Sequence, residues 1–254
     1  MLEVEEPVYV YGVSLNSNYA PVSVPGVQDA QVEAVEHAGL VALASYLQQT
    51  NLAARDLRAH WRVLERAFEH GMVLPVRFGT VMETPEAVRS RLLEPNAERL
   101  SDLLREMTGL VQLNLKGRYD EELLLREIVR GNSAVANLRE RIRAQPEATK
   151  SPADQVALGQ LVERELAQRS AADGATARGM LEPLAVAVRE EQVGHPNAFN
   201  LAFLVDGERT DEFSDAVSSL RQQLGERIEI RYVGPVPPFS FAQAELSIGS
   251  AAWA

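Results

Sequence analysis

Few residues in this sequence have the type and setting for chemistry. Arg77 lies in the stretch Leu74-Pro75-Val76-Arg77-Phe78-Gly79-Thr80, where a planar guanidinium held between proline, an aromatic ring and glycine can clamp an anionic ligand. The same setting suits an ion pair that fixes a turn, since the chain carries 36 acidic residues. His60 is a candidate general base, but beside Trp61 it reads equally as a surface or partly buried helix residue. The four histidines, His37, His60, His70 and His195, form no ligand pair. On one helix His60 and His70 stand ~80° apart around the axis and ~15 Å apart along it, too far for one metal ion. The runs Asp120-Glu121-Glu122 and Arg189-Glu190-Glu191 suit a cation or, more simply, a solvated helix face. Glycine-rich phosphate loops, the GxSxG elbow and HExxH are all missing. The sequence therefore predicts no catalytic, metal or cofactor site.

Composition narrows the function classes further. With 25 Lys and Arg against 36 Asp and Glu, the formal charge is −11, which disfavours nucleic acid and anionic membrane surfaces as partners. Without cysteine there is no disulfide framework, thiolate nucleophile or zinc ribbon, and the chain suits a reducing compartment. An apolar share of 46% predicts a sizeable core. The acidic start, residues 1–6, does not resemble a secretory signal, and no apolar run approaches the ~20 residues of a membrane span. The expectation is a cytoplasmic protein of two domains.

The elements follow from periodicity. Residues 8–13 read as a first strand, and two apolar stretches either side of Ala38-Gly39 read as a hairpin whose second strand covers 40–47. Leu57, Trp61, Leu64 and Phe68 mark one stripe of a helix over 53–70. Residues 72–76 form a short strand limited by Pro75, and Thr84-Pro85-Glu86 opens a helix with a capping oxygen, a pre-set φ and an acid at the positive dipole end. Val111, Leu113 and Leu115 alternate with Gln112, Asn114 and Lys116, which predicts a strand with one wet face. Residues 1–118 thus suffice for a ferredoxin-like α+β sandwich. From Tyr119 to about Gln192 the pattern predicts only helices, as a hairpin or pair broken at 146–152. Next come a strand with Phe199, Leu201, Phe203 and Val205, a helix capped by Thr210 with Phe213, Val217, Leu220 and Leu224 on one face, and a strand at 228–232; the crossover length allows the two strands to pair in parallel. The stiff Gly234-Pro235-Val236-Pro237-Pro238 carries Phe239 and Phe241 toward an apolar tail at 251–254. Those phenylalanines suit either a docking strip for another protein or a cover for the helical pair. The predicted domains are 1–118 and 119–254, the second an α+β domain with long helices and a small sheet.

Four stretches carry a resemblance over nearly the whole chain: Tyr9-Val10-Tyr11-Gly12, the run from His60 through Val73 to Thr80, the strand from Asn197 to Val205, and Gly234-Pro235-Val236-Pro237-Pro238-Phe239-Ser240-Phe241. Together they resemble the gas vesicle protein GvpL/GvpF family. Phe239 stands where many members carry tyrosine. The stretch 146–192 is the least distinctive. The resemblance implies an accessory or minor structural protein of gas vesicles, hollow protein shells that give cells buoyancy. It implies no enzyme activity and no cofactor. Its expected partners are the hydrophobic shell protein GvpA and other gas vesicle accessory proteins, and the free chain is expected to be a monomer. In that role Arg77, Phe78, Phe239 and Phe241 become the expected partner-contact residues, with an open sheet edge near residues 8–13. The alternative from another class is a ferredoxin-like small-molecule-binding protein or enzyme with a site near Arg77 and His60.

Overall fold

A computed structural model describes residues 7–49, 51–146 and 151–242; the acidic start and the apolar tail at 251–254 lie outside them. The chain forms two compact units. One runs to Gln112 and takes up again at Pro235, and the other is Leu113–Gly234. The C-terminal segment therefore belongs with the first unit, whereas the sequence grouped it with the second and drew the boundary at Tyr119.

In the first unit, β1 (Val8–Leu15), β2 (Glu33–His37), β3 (Leu40–Tyr46) and β4 (Val73–Pro75) form a sheet in the order β2-β3-β1-β4, and β5 (Val81–Met82) also pairs with β1. The pairs β2–β3, β1–β3 and β1–β4 are antiparallel. This is the ferredoxin-like order, although the link from β1 to β2 runs through short 3-10 turns where that fold usually has a helix. The expected open edge at residues 8–13 is wrong. β1 is a central strand, with β3 paired along one edge and β4 and β5 along the other, and its valines and tyrosines are buried. The β2–β3 hairpin turns at Ala38 and Gly39, with φ of 47° and 81°, the doubly left-handed geometry of a type I′ turn.

Helix α1 (Ala54–Phe68) packs on β1, but its buried stripe is shifted from the expected one. Leu57 is 38% exposed, while Asp56, His60, Val63 and Leu64 are buried. Two polar residues can occupy the inner face because each has partners there. Asp56 accepts from the N–H groups of Ala53 at 2.7 Å and Gln28 at 3.1 Å. Thr84 caps α2 (Pro85–Ala87) through the Ala87 N–H, as its sequence signature predicts. A π turn and a 3-10 turn lead into α3 (Ala97–Glu106), which also touches β1.

The second unit is built on β6 (Leu110–Tyr119), whose first residues still belong to the first unit. Helices α4 (Glu121–Gly131), α5 (Ser133–Arg143) and α6 (Pro152–Leu181) follow, with Asn132 and Ser151 capping the latter two. Then come β7 (Ala187–Glu190), β8 (Asn197–Asp206), α7 (Thr210–Leu224) and β9 (Ile228–Val236), in the sheet order β7-β8-β6-β9. The four predicted inner residues of α7 are all buried. Thr210 is its first helical residue rather than its cap, and its hydroxyl donates to the Gly207 carbonyl. Residues 187–190, read as part of the helical stretch, are a strand, and the parallel β8–β9 pairing that the crossover allowed is not formed because β6 lies between the two. A local pattern cannot reveal a strand arriving from eighty residues upstream. Gln112, expected on the wet face of β6, is buried.

At Gly117, near the end of β6, an added Cβ would meet the Phe199 ring at 2.6 and 2.7 Å. Phe199 is 1% exposed and has no free direction in which to yield. Gly117→Ala is therefore expected to cost about 1–3 kcal/mol in urea unfolding followed by circular dichroism. A loss below about 0.5 kcal/mol would show that the ring has room to move.

Candidate functional site

The loop between β4 and β5 is held at both ends by β1: Val76 N–H donates to the Tyr11 carbonyl at 2.9 Å, and Val10 N–H donates to the Thr80 carbonyl at 3.0 Å. Between these ties the N–H and hydroxyl of Thr80 both donate to the Arg77 carbonyl, which closes the turn. The turn is thus fixed by the backbone of Arg77. Its guanidinium is exposed and has no ion pair among the described residues, so the structural ion pair that the sequence allowed is not what shapes this loop.

The next residue, Phe78, turns inward. Its ring lies 5.7 Å from the His60 ring and 6.2 Å from that of Tyr9. The Tyr9 hydroxyl lies 2.9 Å from His60 Nδ1 and accepts from the Gly79 N–H at 3.3 Å. Which of the two groups donates depends on the imidazole tautomer, and with Tyr9 as donor the His60 proton sits on Nε2. Tyr11 packs edge-on against Tyr9 at 4.9 Å, and its oxygen is shared with the Ser45 hydroxyl at 2.7 Å and the Val27 N–H at 2.7 Å. Burial raises both phenol pKa values, and the same burial lowers His60 from 6.5 to about 4. His60 is 1% exposed, neutral at physiological pH and enclosed by rings. It cannot reach a substrate as a general base in this arrangement.

Trp61, beside His60, meets Phe239 nearly perpendicularly at 4.2 Å. The short helix α8 (Phe239–Ala242) packs against β4, and Gln112 clamps it from below. The Gln112 side chain donates to the Ser240 hydroxyl at 3.1 Å and accepts from the Ser240 N–H at 2.8 Å, which explains the burial of this glutamine. Pro237, Pro238 and Phe241 are buried and Phe239 is half-buried. The segment covers α1 and β4 of the first unit instead of the helical pair that the sequence offered as one alternative.

The structure brings Phe78 to His60 and Phe239 to Trp61, with Arg77 and Phe241 beside them in the chain, and presents the four unequally. Arg77 is exposed, Phe78 and Phe239 are half-buried, and Phe241 is an internal anchor. Sequence reasoning missed Tyr9 and Asp56. The Tyr9–His60 contact spans 51 residues, and nothing local signals it. Asp56 has a weak signal, since an acid at the third helical position commonly reaches back to the helix start. The described residues contain no group of three or more His, Cys, Asp or Glu able to hold a metal ion, and no helix long and apolar enough to cross a membrane.

A family model described as gas vesicle synthesis protein GvpL/GvpF matches residues 7–243. Gas vesicle protein F of a Streptomyces species is 32% identical over 239 residues, which cover 92% of this chain and 99% of the relative. The crystal structure of GvpF from an Anabaena species matches with a TM-score of 0.79 at 28% identity, covering 94% of this chain and 98% of that one. That of GvpF from Microcystis aeruginosa matches with a TM-score of 0.74 at 27% identity, covering 93% and 99%.

The depressed His60 pKa has a direct consequence for stability. Between about 4 and 6.5 the unfolded chain binds a proton that the folded chain does not, so stability rises with pH across that window and is flat above it for this group. The contribution amounts to as much as about 3 kcal/mol. Urea unfolding of the wild type and of His60→Gln between pH 4 and 7 tests this. The variant is expected to lose stability less steeply toward acid, and parallel curves would show that His60 is not the titrating group.

Proposed function

Because the chain belongs to the GvpL/GvpF family of gas vesicle proteins, we propose that it acts in the cytoplasm and on the vesicle as an accessory or minor structural protein. It binds the shell protein GvpA, limits its aggregation and assists nucleation and assembly, without catalysis. A shell subunit with an apolar face and open strand edges is an aggregation hazard until it assembles. A partner that covers such surfaces, and that carries a charge of −11, keeps the pair dispersed.

The observation that carries this reading is the unequal presentation of the contact residues. An exposed arginine without an ion pair among the described residues sits beside Phe78, which leads through His60 and Trp61 to the half-buried Phe239. Arginine and aromatic rings are the residue types that dominate binding energy in interfaces. The edges of the first sheet are poor alternatives. β4 has three residues with α8 packed against it, and the outer strand β2 is charged, with its Glu36 carbonyl taken by Arg89. The small-molecule alternative at Arg77 and His60 loses support because His60 is enclosed.

Co-expressing GvpA with and without this chain and sedimenting the lysate tests the proposal. The soluble GvpA fraction is expected to rise with the chain present, and no rise sinks the chaperone-like part. Arg77→Glu is expected to weaken capture by about 2 kcal/mol, roughly 30-fold in affinity, with unchanged thermal unfolding. Immunoblots of washed vesicles separate a resident component from a transient chaperone.

A further inference from the structure

The first unit carries a second basic feature that the proposed function does not use. A cleft of about 160 Å³ opens at the start of α1, bordered by Gln28, Asp29, Arg55, Asp56, Arg58 and Arg62. The three arginines recur at i, i+3 and i+7, so they share one stripe of the helix and span ~10.5 Å along its axis. All three are exposed, and none has an ion pair among the described residues of a chain with eleven more acids than bases.

Their position is unfavourable for the free protein. Arg55 and Arg58 lie in the first turns of α1, where unpaired N–H groups already concentrate positive charge. Two carboxylates line the cleft with them: Asp56, whose oxygens are turned to the N–H groups of Gln28 and Ala53, and the exposed Asp29, so the three arginines leave the cleft with one net positive charge. The opposite wall, Gln28 and Asp29, stands in left-handed backbone at φ of 57° and 59°. It is braced there by the Gln28 side chain, which holds the backbone of Gln48 and Gln49. The Gln28–Asp29 wall is therefore held in place before any ligand arrives, and the opposite wall is the backbone of α1 with its exposed arginines.

We infer that this cleft is a docking site for an acidic segment of a partner protein, whose Asp or Glu carboxylates lie along Arg55, Arg58 and Arg62. At about 160 Å³ the cleft is smaller than the ~300 Å³ of pockets that enclose drug-sized ligands, so it does not enclose a nucleotide. A row of cations over ~10 Å matches a helix with acids at i, i+4 and i+7, or about three residues of extended chain. A nucleic acid would bring many phosphates toward a chain of net charge −11, while a short acidic segment brings only the few charges that the arginines answer. This goes beyond the shell-protein reading and does not depend on it.

Fluorescence anisotropy with a fluorescein-labelled helical peptide bearing glutamates on one face tests the site on the full chain. Binding is expected for the wild type. It should weaken by roughly tenfold or more in Arg55→Glu/Arg58→Glu/Arg62→Glu, and by less than about twofold in Lys116→Glu/Arg118→Glu/Arg231→Glu, an equal charge change on the second unit. The glutamine triple at the same three arginines, with circular dichroism and thermal unfolding for every variant, covers the case in which charge reversal disturbs the fold. Absence of binding, or equal losses in both charge-reversed triples, overturns the proposal. Displacement of the peptide by inorganic phosphate well beyond the effect of sodium chloride at equal ionic strength also overturns it, by assigning the cleft to a small anion.

Discussion

Burying two tyrosines side by side on the central strand obliges distant parts of the first unit to converge. A phenol withdrawn from water without a partner costs about as much as a lost buried hydrogen bond. Tyr9 meets that demand with His60 from α1 and the Gly79 N–H from the β4–β5 loop, and Tyr11 with Ser45 from β3 and the Val27 N–H from the β1–β2 link. Four segments are thereby tied to β1. The loop that holds Arg77 outside and Phe78 inside takes its shape from those ties, and so does the face of α1 that buries His60. Burial in turn disfavours the charged form of His60, which lowers its pKa to about 4 and keeps it neutral near pH 7.

The second unit meets the same constraint with charge. Tyr119, the last residue of β6, donates its hydroxyl to Asp173 of α6 at 2.7 Å, and the other oxygen of Asp173 accepts from Arg227. Arg227 also approaches Glu127 of α4 at 3.5 Å, which Arg169 of α6 meets at 3.3 Å. Burial holds the Tyr119 phenol protonated. This cluster joins the end of β6 to two helices, and Gly117 two residues earlier leaves room for the tip of the Phe199 ring. Both units therefore use a tyrosine on a central strand to fix how helices sit on a sheet.

Much of the fold was legible in the sequence because it rests on local periodicity. The inner face of α7, the hairpin turn at Ala38-Gly39, the Thr84 cap and the α+β class are all properties of short windows. The failures share one cause. The inner face of α1 was displaced by Asp56 and His60, polar residues that can be buried because partners from other elements satisfy them. Gln112 was assigned to water because its partner, Ser240, lies 128 residues away. β6 was not expected between β8 and β9 for the same reason.

For the site, residue types together with the family resemblance selected Arg77, Phe78, Phe239 and Phe241, and the absence of catalytic motifs was evident from the letters. Which of the four faces outward was decided only by packing. Phe241 is drawn inside by the clamp on Ser240, Phe239 is tilted onto Trp61, and Arg77 is left exposed because the turn closes through its carbonyl. Sequence determined the inventory of side chains, the charge of −11 and the local elements, since these depend on composition and short-range spacing. The tertiary structure decided which polar groups have partners, because satisfying a buried hydrogen bond requires segments far apart in the chain to meet.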